Sequence, residues 1–219
     1  MPNALAIAKI GGITHQAGRA KARPLCQTLG VKSPEIMSIT ASVYIATSLD
    51  GFISRPDGNI DWLHQANSTV PPGEDCGYAK FIETVDVLVM GRNTYKQVIT
   101  FDPWPYVGRE VVVLSTQQLT IPTHLEASVS ASSETPVELL RRLASRGVRH
   151  VYVDGGKTIQ GFLAQGLIHQ IIITTIPVLL GSGRALFAID GREQELSLVS
   201  SKAYEFGFVQ STYRVLADA

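Results

Sequence analysis

The sequence predicts an α/β fold with three layers, in which a mainly parallel central sheet carries helices on both faces and ends in an antiparallel hairpin. Short apolar segments rich in β-branched residues alternate along the chain with segments whose apolar residues recur at helical spacing. Such alternation favours parallel strands joined by crossover helices. Near the end, residues 196–203 and 208–216 follow one another without an intervening helix and predict the hairpin.

Length and composition predict one folded domain behind a short extension. The chain has 219 residues, of which 45% are hydrophobic and 17% charged, a balance typical of a globular protein. Residues 1–37 are basic, with Glu35 as their single acid, and show no sustained helical or strand period. A flexible extension ahead of an internal start at Met37 is the favoured interpretation, and a targeting peptide is the alternative. The domain is expected to span residues 38–219.

Charge, apolar run length and cysteine content limit the partners, the covalent links and the location that we expect for the protein. Nineteen basic residues balance nineteen acidic ones, so neither nucleic acid nor an anionic membrane is expected as a partner. The longest apolar stretch, residues 171–181, is far shorter than the roughly 20 residues that a membrane-spanning helix needs. Cys26 and Cys76 are the two cysteines and form no Cys-x-x-Cys pair. We therefore expect no disulfide, no metal site and a cytoplasmic location.

The strands of the domain are predicted from runs of β-branched and aromatic residues. The first is strongly apolar and suits the centre of a sheet. The two that follow are short and each runs into polar residues at its end. The predicted strands ahead of the hairpin are 39–47, 87–90, 110–114, 151–153 and 171–176.

Helices are predicted from apolar spacing and from end signals. Residues 74–85 place Tyr78, Phe81, Ile82 and Val85 on one face. Further helices are expected to open after Gly91 and after Gly156. The clearest end signals belong to the segment Thr135-Pro136-Val137-Glu138, a capping box with proline at the first helical position, and to Gly147, which ends that helix.

Three predicted strands end in residues suited to a phosphate-bearing ligand. In parallel sheets ligands collect at the carboxyl ends of the strands, where following helices present free N–H groups. A glycine after a strand often marks only a turn. Three successive strands that each end in such residues nevertheless favour a ligand site. The motifs are Met90-Gly91-Arg92-Asn93-Thr94, Leu114-Ser115-Thr116 and Asp154-Gly155-Gly156-Lys157-Thr158.

The order of these motifs resembles that of the dihydrofolate reductases. Met90-Gly91-Arg92-x-Thr94, a Gly-Arg pair leading through an apolar strand into Ser115-Thr116, and then Gly-Gly opening a helix follow in the same sequence. The segment from Tyr44 to Ile53, with the Asp-Trp-Leu that follows, is similar to a bacterial stand-alone family. That family is akin to the reductase domain of the bifunctional riboflavin-biosynthesis enzyme. The resemblance covers about residues 40–216.

The resemblance implies a fold of the dihydrofolate reductase type, NADPH as cofactor and a homodimer. The pyrophosphate would be held at the strand ends of Gly91 and of Gly155, the second of which would also hold the nicotinamide side. The adenosine 2′-phosphate would lie near Ser115 and Thr116. Backbone of the first strand would contact the nicotinamide amide. Carried over residue by residue, the implied cofactor contacts are Ala46, Gly91, Arg92, Thr94, Ser115, Thr116, Gly155, Gly156 and Thr158.

The resemblance also implies residues for the substrate and the proton. Asp50 and Trp62 lie in the loop that folds over the substrate in these relatives, and Thr174 is expected to join them. Asp75 precedes Gly91 by sixteen positions, the separation that the catalytic acid of dihydrofolate reductase keeps from its Met-Gly-Arg motif. It would lie in the first turn of helix 74–85, where an acid can equally serve only to offset the helix dipole. Glu74 is a rival for the proton, as is Asp50.

The implied reaction is hydride transfer from NADPH to a C=N or C=O bond of a flat heterocycle. The substrate would be a pteridine, a folate-like compound or an aminopyrimidine of the kind reduced in riboflavin biosynthesis, 5-amino-6-(5-phosphoribosylamino)uracil. The riboflavin reductases usually have a basic residue where this chain has Phe52, which speaks against a phosphoribosyl group. A second hypothesis is a non-catalytic NADPH-binding protein of the same fold.

Overall fold

A central sheet organises the part of the chain that the structure, a computed structural model, describes, namely residues 38–187 and 193–217. The predicted extension, residues 1–37, lies outside the described residues. Within them, eight strands form the main sheet in the order β5-β4-β3-β6-β1-β7-β10-β9, and β2 pairs with β8 in a small second sheet. The strands are β1 (Thr40–Ser48), β2 (Phe52–Ser54), β3 (Val87–Gly91), β4 (Glu110–Leu114), β5 (Val129–Ser132), β6 (His150–Asp154), β7 (Gln170–Ile176), β8 (Arg184–Ala185), β9 (Leu196–Ala203) and β10 (Val209–Val215).

The pairing confirms the predicted fold class. From β5 to β7 all neighbouring strands run parallel, whereas β10 runs antiparallel to both β7 and β9. Residues 41–48 of β1 are all buried, as expected for a strand covered on both faces. The C-terminal hairpin predicted from the sequence extends the sheet on the side of β7.

Helices cover both faces of this sheet. They are α1 (Asp61–Asn67), α2 (Tyr78–Glu83), α3 (Arg92–Val98), α4 (Pro136–Ser145) and α5 (Gly156–Leu163). On one face, residues of α2 and α3 pack against Leu88, Met90 and Tyr152, and on the other, residues of α4 and α5 pack against Val89 and Val153. Because side chains alternate along a strand, each strand supplies both apolar layers.

Helix α4 shows how closely local signals fix a helix boundary. The capping box is present: the Thr135 side chain accepts from the Glu138 N–H, and the Glu138 carboxylate accepts from the Thr135 N–H. Helix α4 accordingly begins at Pro136, and Gly147 beyond its end has a φ of 82°. Strands β4 and β9 likewise have the bounds predicted for them.

The helix predicted over residues 74–85 is wrong in its first turn. Helix α2 begins only at Tyr78, because Cys76 and Gly77 have φ angles of 55° and 85°, in the left-handed region that interrupts an α-helix. Asp75 therefore lies ahead of the helix and not within its first turn. The sequence also failed to predict α1, β2, β5 and β8, which are short or lack a period of their own.

Candidate functional site

Three strand ends with ligand-type residues lie side by side in the sheet. Strand β3 pairs with β4 on one side and β6 on the other, and all three run parallel. The register sets Gly91 opposite Leu114 and Met90 opposite Asp154. The three motifs predicted to hold a cofactor are therefore brought to one edge of the sheet.

A cleft of about 1430 Å³ opens at this edge. It is large enough for a dinucleotide-sized ligand. Eight of the nine predicted cofactor residues line it, whereas Ala46 is buried in β1 and is not among the lining residues. The eight are Gly91, Arg92, Thr94, Ser115, Thr116, Gly155, Gly156 and Thr158.

Glycines at the strand ends allow close packing around the cleft. A Cβ on Gly91 would lie 2.8 Å from the Thr158 Oγ1, and one on Gly156 would lie 2.8 Å from the Ile53 Cδ1. Gly155 has a φ of 91°, which side chains rarely tolerate. These positions bring the backbone to the wall of the cleft, where its N–H groups can face a phosphate.

Positive charge predominates among the residues that line the cleft. Four of them are cationic, Arg92, Lys96, Lys157 and Arg184, against the single acid Asp57. The Arg92 guanidinium donates a hydrogen bond to the Gln117 side-chain oxygen. The Ser115 hydroxyl in turn donates to the Gln117 carbonyl at 2.8 Å. The electrostatic field in the cleft therefore favours an anionic ligand.

A two-stranded flap, defined as β2 with β8, forms one wall of the cleft. Ile53 of β2 packs on Gly156, and Arg184 and Ala185 of β8 line the opening. The Gln160 amide donates to the carbonyls of Ala185 and Leu186, at 3.2 and 3.1 Å, and so ties the flap to α5. Sequence analysis missed this element, since its two strands lie 130 residues apart.

Asp50, predicted as a substrate or catalytic residue, organises a turn outside the cleft. Its carboxylate accepts hydrogen bonds from the Ser48 hydroxyl and from the N–H groups of Leu180 and Gly181. These bonds, the one from Ser48 first, hold the pKa of Asp50 below its usual value. In this arrangement Asp50 joins the end of β1 to the segment after β7.

Asp75, predicted as the catalytic acid, caps the start of α2. Its two carboxylate oxygens accept from the N–H groups of Gly77 and Ala79, at 2.7 and 2.8 Å. This is how a capping residue satisfies the free N–H groups of a helix. Glu74, its rival, accepts from the N–H of Cys76 in the same way.

Thr174 and Trp62, the predicted substrate residues, are both buried. The Gln210 amide donates to the Thr174 hydroxyl, the Tyr44 hydroxyl and the Cys76 carbonyl, at 3.0, 2.9 and 2.9 Å. Trp62 packs with Ala46 in the apolar cluster at the carboxyl end of β1. The network around Gln210 therefore brings Thr174 next to the loop that carries Asp75.

Asp154 directly precedes Gly155, which lines the cleft, and the sequence did not single it out as a site residue. It is fully buried at the end of β6, on the same face as Tyr152, and its Oδ1 accepts from the Gly155 N–H at 2.8 Å. Its Oδ2 has no hydrogen-bond partner within the described residues. Burial raises the pKa of this carboxyl from 3.8 to about 6. The available signal was an acid at the end of an apolar strand, directly before Gly-Gly.

No helix in residues 38–187 and 193–217 is long and apolar enough to cross a membrane. Nor does that part of the chain hold three or more His, Cys, Asp or Glu residues grouped so that they could bind a metal ion.

Comparison with known proteins places this geometry in a family. The chain is 34% identical over 165 residues to the uncharacterized protein YwjB of Bacillus subtilis, covering 74% of this chain and 90% of that one. It also resembles a crystal structure from Shewanella sp. PV-4 of a protein proposed to act in riboflavin biosynthesis. There the identity is 38% and the TM-score 0.75, over 82% of this chain and 100% of that one.

A more distant structure shares the fold. The deaminase/5-amino-6-(5-phosphoribosylamino)uracil reductase of Thermotoga maritima matches with a TM-score of 0.60 at 14% identity, over 82% of this chain and 57% of that one. The family described as the RibD C-terminal domain matches residues 40–209, nearly the whole described part of the chain. This protein therefore belongs to the RibD C-terminal domain family.

Proposed function

We propose that this protein is an NADPH-dependent reductase that transfers hydride to a C=N or C=O bond of a flat heterocycle, of the pteridine, folate-like or aminopyrimidine kind. The observation that carries the proposal is the cleft at the carboxyl ends of β3, β4 and β6, lined by glycine backbone and four cations. When bound there, NADPH would supply the hydride, and the protein would bind and orient both reactants.

The residues of the cleft fit a dinucleotide with a 2′-phosphate. The helices α3 and α5 begin at its wall, so their free N–H groups favour a pyrophosphate. Ser115 and Thr116 offer hydroxyls at the end of β4, and no acid follows them before Glu126. A site that prefers NADH usually places an acid against the ribose 2′-hydroxyl. Arg92 would add a charge-assisted hydrogen bond to a phosphate.

The proton is proposed to come from Asp154. The carboxylate oxygens of Asp50 and Asp75 already accept hydrogen bonds from backbone N–H groups. Asp154 instead has one oxygen without a partner within the described residues and a pKa raised by burial to about 6. A carboxyl of that acidity is suited to donating a proton near neutral pH. It also adjoins Gly155, which lines the cleft.

The proposed partner protein is a second copy of this chain. Strand β9 is the edge of the main sheet and is exposed along its whole length, with Leu198 and Val199 at 58% and 53% exposure. Long, apolar edge strands are normally covered in folded proteins. A homodimer through this edge would cover it.

The alternative, an NADPH-binding protein without reductase activity, is favoured by the structural roles of Asp50 and Asp75. The two hypotheses differ in whether bound NADPH is consumed. We expect the absorbance of NADPH at its nicotinamide band to fall when at least one of a panel of pterins, folates and aminouracils is added. Binding of NADPH without oxidation by any of them would favour the alternative.

A further inference from the structure

Gln117 connects two of the strand ends that form the cleft. It follows β4 and lines the cleft together with Arg92, which lies at the end of β3. The Gln117 side-chain oxygen accepts a hydrogen bond from the Arg92 guanidinium. An unrestrained arginine side chain has many rotamers, so this bond helps to hold the guanidinium at the wall of the cleft.

The chemistry of the pair sets the orientation of the Gln117 amide. A guanidinium carries only donors, so the amide has to turn its oxygen towards Arg92. The amide nitrogen keeps both of its N–H groups, and it has no hydrogen-bond partner among residues 38–187 and 193–217. Because Gln117 is exposed at the cleft, these N–H groups are available to an anionic ligand.

Of the two hydroxyls at the end of β4, that of Ser115 is already bonded to Gln117. It donates to the Gln117 carbonyl at 2.8 Å and accepts from the Gln117 N–H at 3.1 Å. A serine hydroxyl has a single hydrogen, so Ser115 cannot donate to a phosphate without losing the first of these bonds. Ser115 therefore fixes the backbone of Gln117 and acts on a ligand through that residue.

The neutral charge of Gln117 bears on which nucleotide fits the cleft. Sites that prefer NADH usually place a carboxylate against the ribose 2′-hydroxyl. A glutamate would have nearly the same shape as Gln117, but it would pair with Arg92 and repel a 2′-phosphate. The amide instead leaves the positive charge of Arg92 available and adds donors beside it.

We propose that Gln117 determines the preference for a nucleotide with a 2′-phosphate, because it holds the Arg92 guanidinium and donates from its amide to the phosphate. Ser115 is then a positioning residue for Gln117. This rests on the proposed function, since the nucleotide has to bind in the cleft. Gln117 and Arg92 come from separate strand ends, so the pair is not visible in the sequence.

Calorimetric titration of the full chain with NADPH and NADH tests the role of Gln117. The decisive variant is Gln117→Glu, which keeps the size of the side chain and adds a negative charge beside Arg92. We expect the ratio of the two dissociation constants to shift roughly tenfold or more towards NADH, the order of one hydrogen bond to a charged group. The pair 2′,5′-ADP and 5′-AMP should show the same shift, which would locate it at the 2′-phosphate.

Gln97→Glu is the matched control. Gln97 lies on α3 and lines the same cleft, so its replacement adds the same charge at another place. It should weaken NADPH and NADH to a similar extent and change their ratio by less than about threefold, within the range of exposed charges. Gln117→Glu should leave the melting temperature unchanged, because the side chain is exposed.

A double-mutant cycle tests the indirect role of Ser115. Gln117→Leu should weaken NADPH roughly tenfold and Ser115→Ala roughly threefold, with NADH unchanged in both. If Ser115 acts through Gln117, the double variant should bind NADPH no more weakly than Gln117→Leu alone. Effects that add would show that Ser115 contacts the phosphate itself.

Three results would overturn the inference. They are an unchanged nucleotide ratio in Gln117→Glu, an equal shift of the ratio in Gln97→Glu, and additive effects of Ser115→Ala and Gln117→Leu. Failure of the proposed function looks different, because the wild-type protein would then bind neither nucleotide, and the role of Gln117 would fall with it. If the wild type prefers NADPH and Gln117→Glu keeps that preference, the cofactor assignment stands and the role of Gln117 is wrong.

Discussion

Replacing Asp154 by asparagine should raise stability in a way that depends on pH. The carboxyl has a pKa of about 6 in the folded protein against 3.8 without burial. Between these values the folded state holds more protons than the unfolded state, so the stability of the wild-type protein falls as pH rises through about 4 to 6. A difference of about two pKa units corresponds to about 3 kcal/mol over the full window. About 1.4 kcal/mol of it falls between pH 5 and pH 8.

Denaturant unfolding of wild type and Asp154→Asn at pH 5 and pH 8 measures this effect. The asparagine variant should gain about 1.4 kcal/mol relative to wild type on going from pH 5 to pH 8, or about 3–6 °C in melting temperature. Comparing the two pH values cancels the cost of burying the amide, and it cancels other titrating groups such as His150. Asp102→Asn, at an exposed aspartate, is the matched control variant. An equal effect of Asp154→Asn at both pH values would refute the assignment of a buried, titrating carboxyl.

Three other changes test the cap of α4, the proposed homodimer and the predicted extension. Thr135→Ala removes the capping box of α4 and should cost about 1 kcal/mol in the free energy of unfolding, measured by denaturant titration; no loss would contradict its role as a cap. Leu198→Lys on the exposed edge strand β9 should convert a homodimer into monomers in light scattering, whereas a monomeric wild type would refute the proposed dimer. Deleting residues 1–36 should leave the melting temperature and NADPH affinity almost unchanged, and a loss of several degrees would contradict the prediction of a flexible extension.

Features that depend on residues close together in the chain could be predicted from the sequence. Thr135 and Glu138 are three positions apart, so their reciprocal bonds are visible in the sequence and set the start of α4 correctly. The strand ends at Gly91, Ser115 and Gly155 were predictable for the same reason, and the parallel topology then brought them together. Eight of the nine predicted cofactor positions line one cleft as a result.

Features that depend on distant contacts or on unusual backbone could not be predicted. The period of residues 74–85 favoured a helix throughout, but the left-handed Cys76 and Gly77 delay its start and leave Asp75 ahead of it. Likewise, Asp154 gains its raised pKa from burial, and its neighbours Tyr78 and Tyr106 come from separate elements. The spacing of these residues along the chain does not indicate that they lie close together.

Calorimetric titration of the purified protein with NADPH and NADH decides whether the protein is an NADPH-dependent enzyme. We expect NADPH to bind more tightly, and Arg92→Gln to weaken NADPH by roughly tenfold to a hundredfold, the order of a charge-assisted hydrogen bond. Arg149→Gln, an exposed arginine at the amino end of β6 and away from the cleft, should leave the affinity unchanged. Equal or tighter binding of NADH would contradict the cofactor assignment, and binding of neither nucleotide would contradict the reductase function itself.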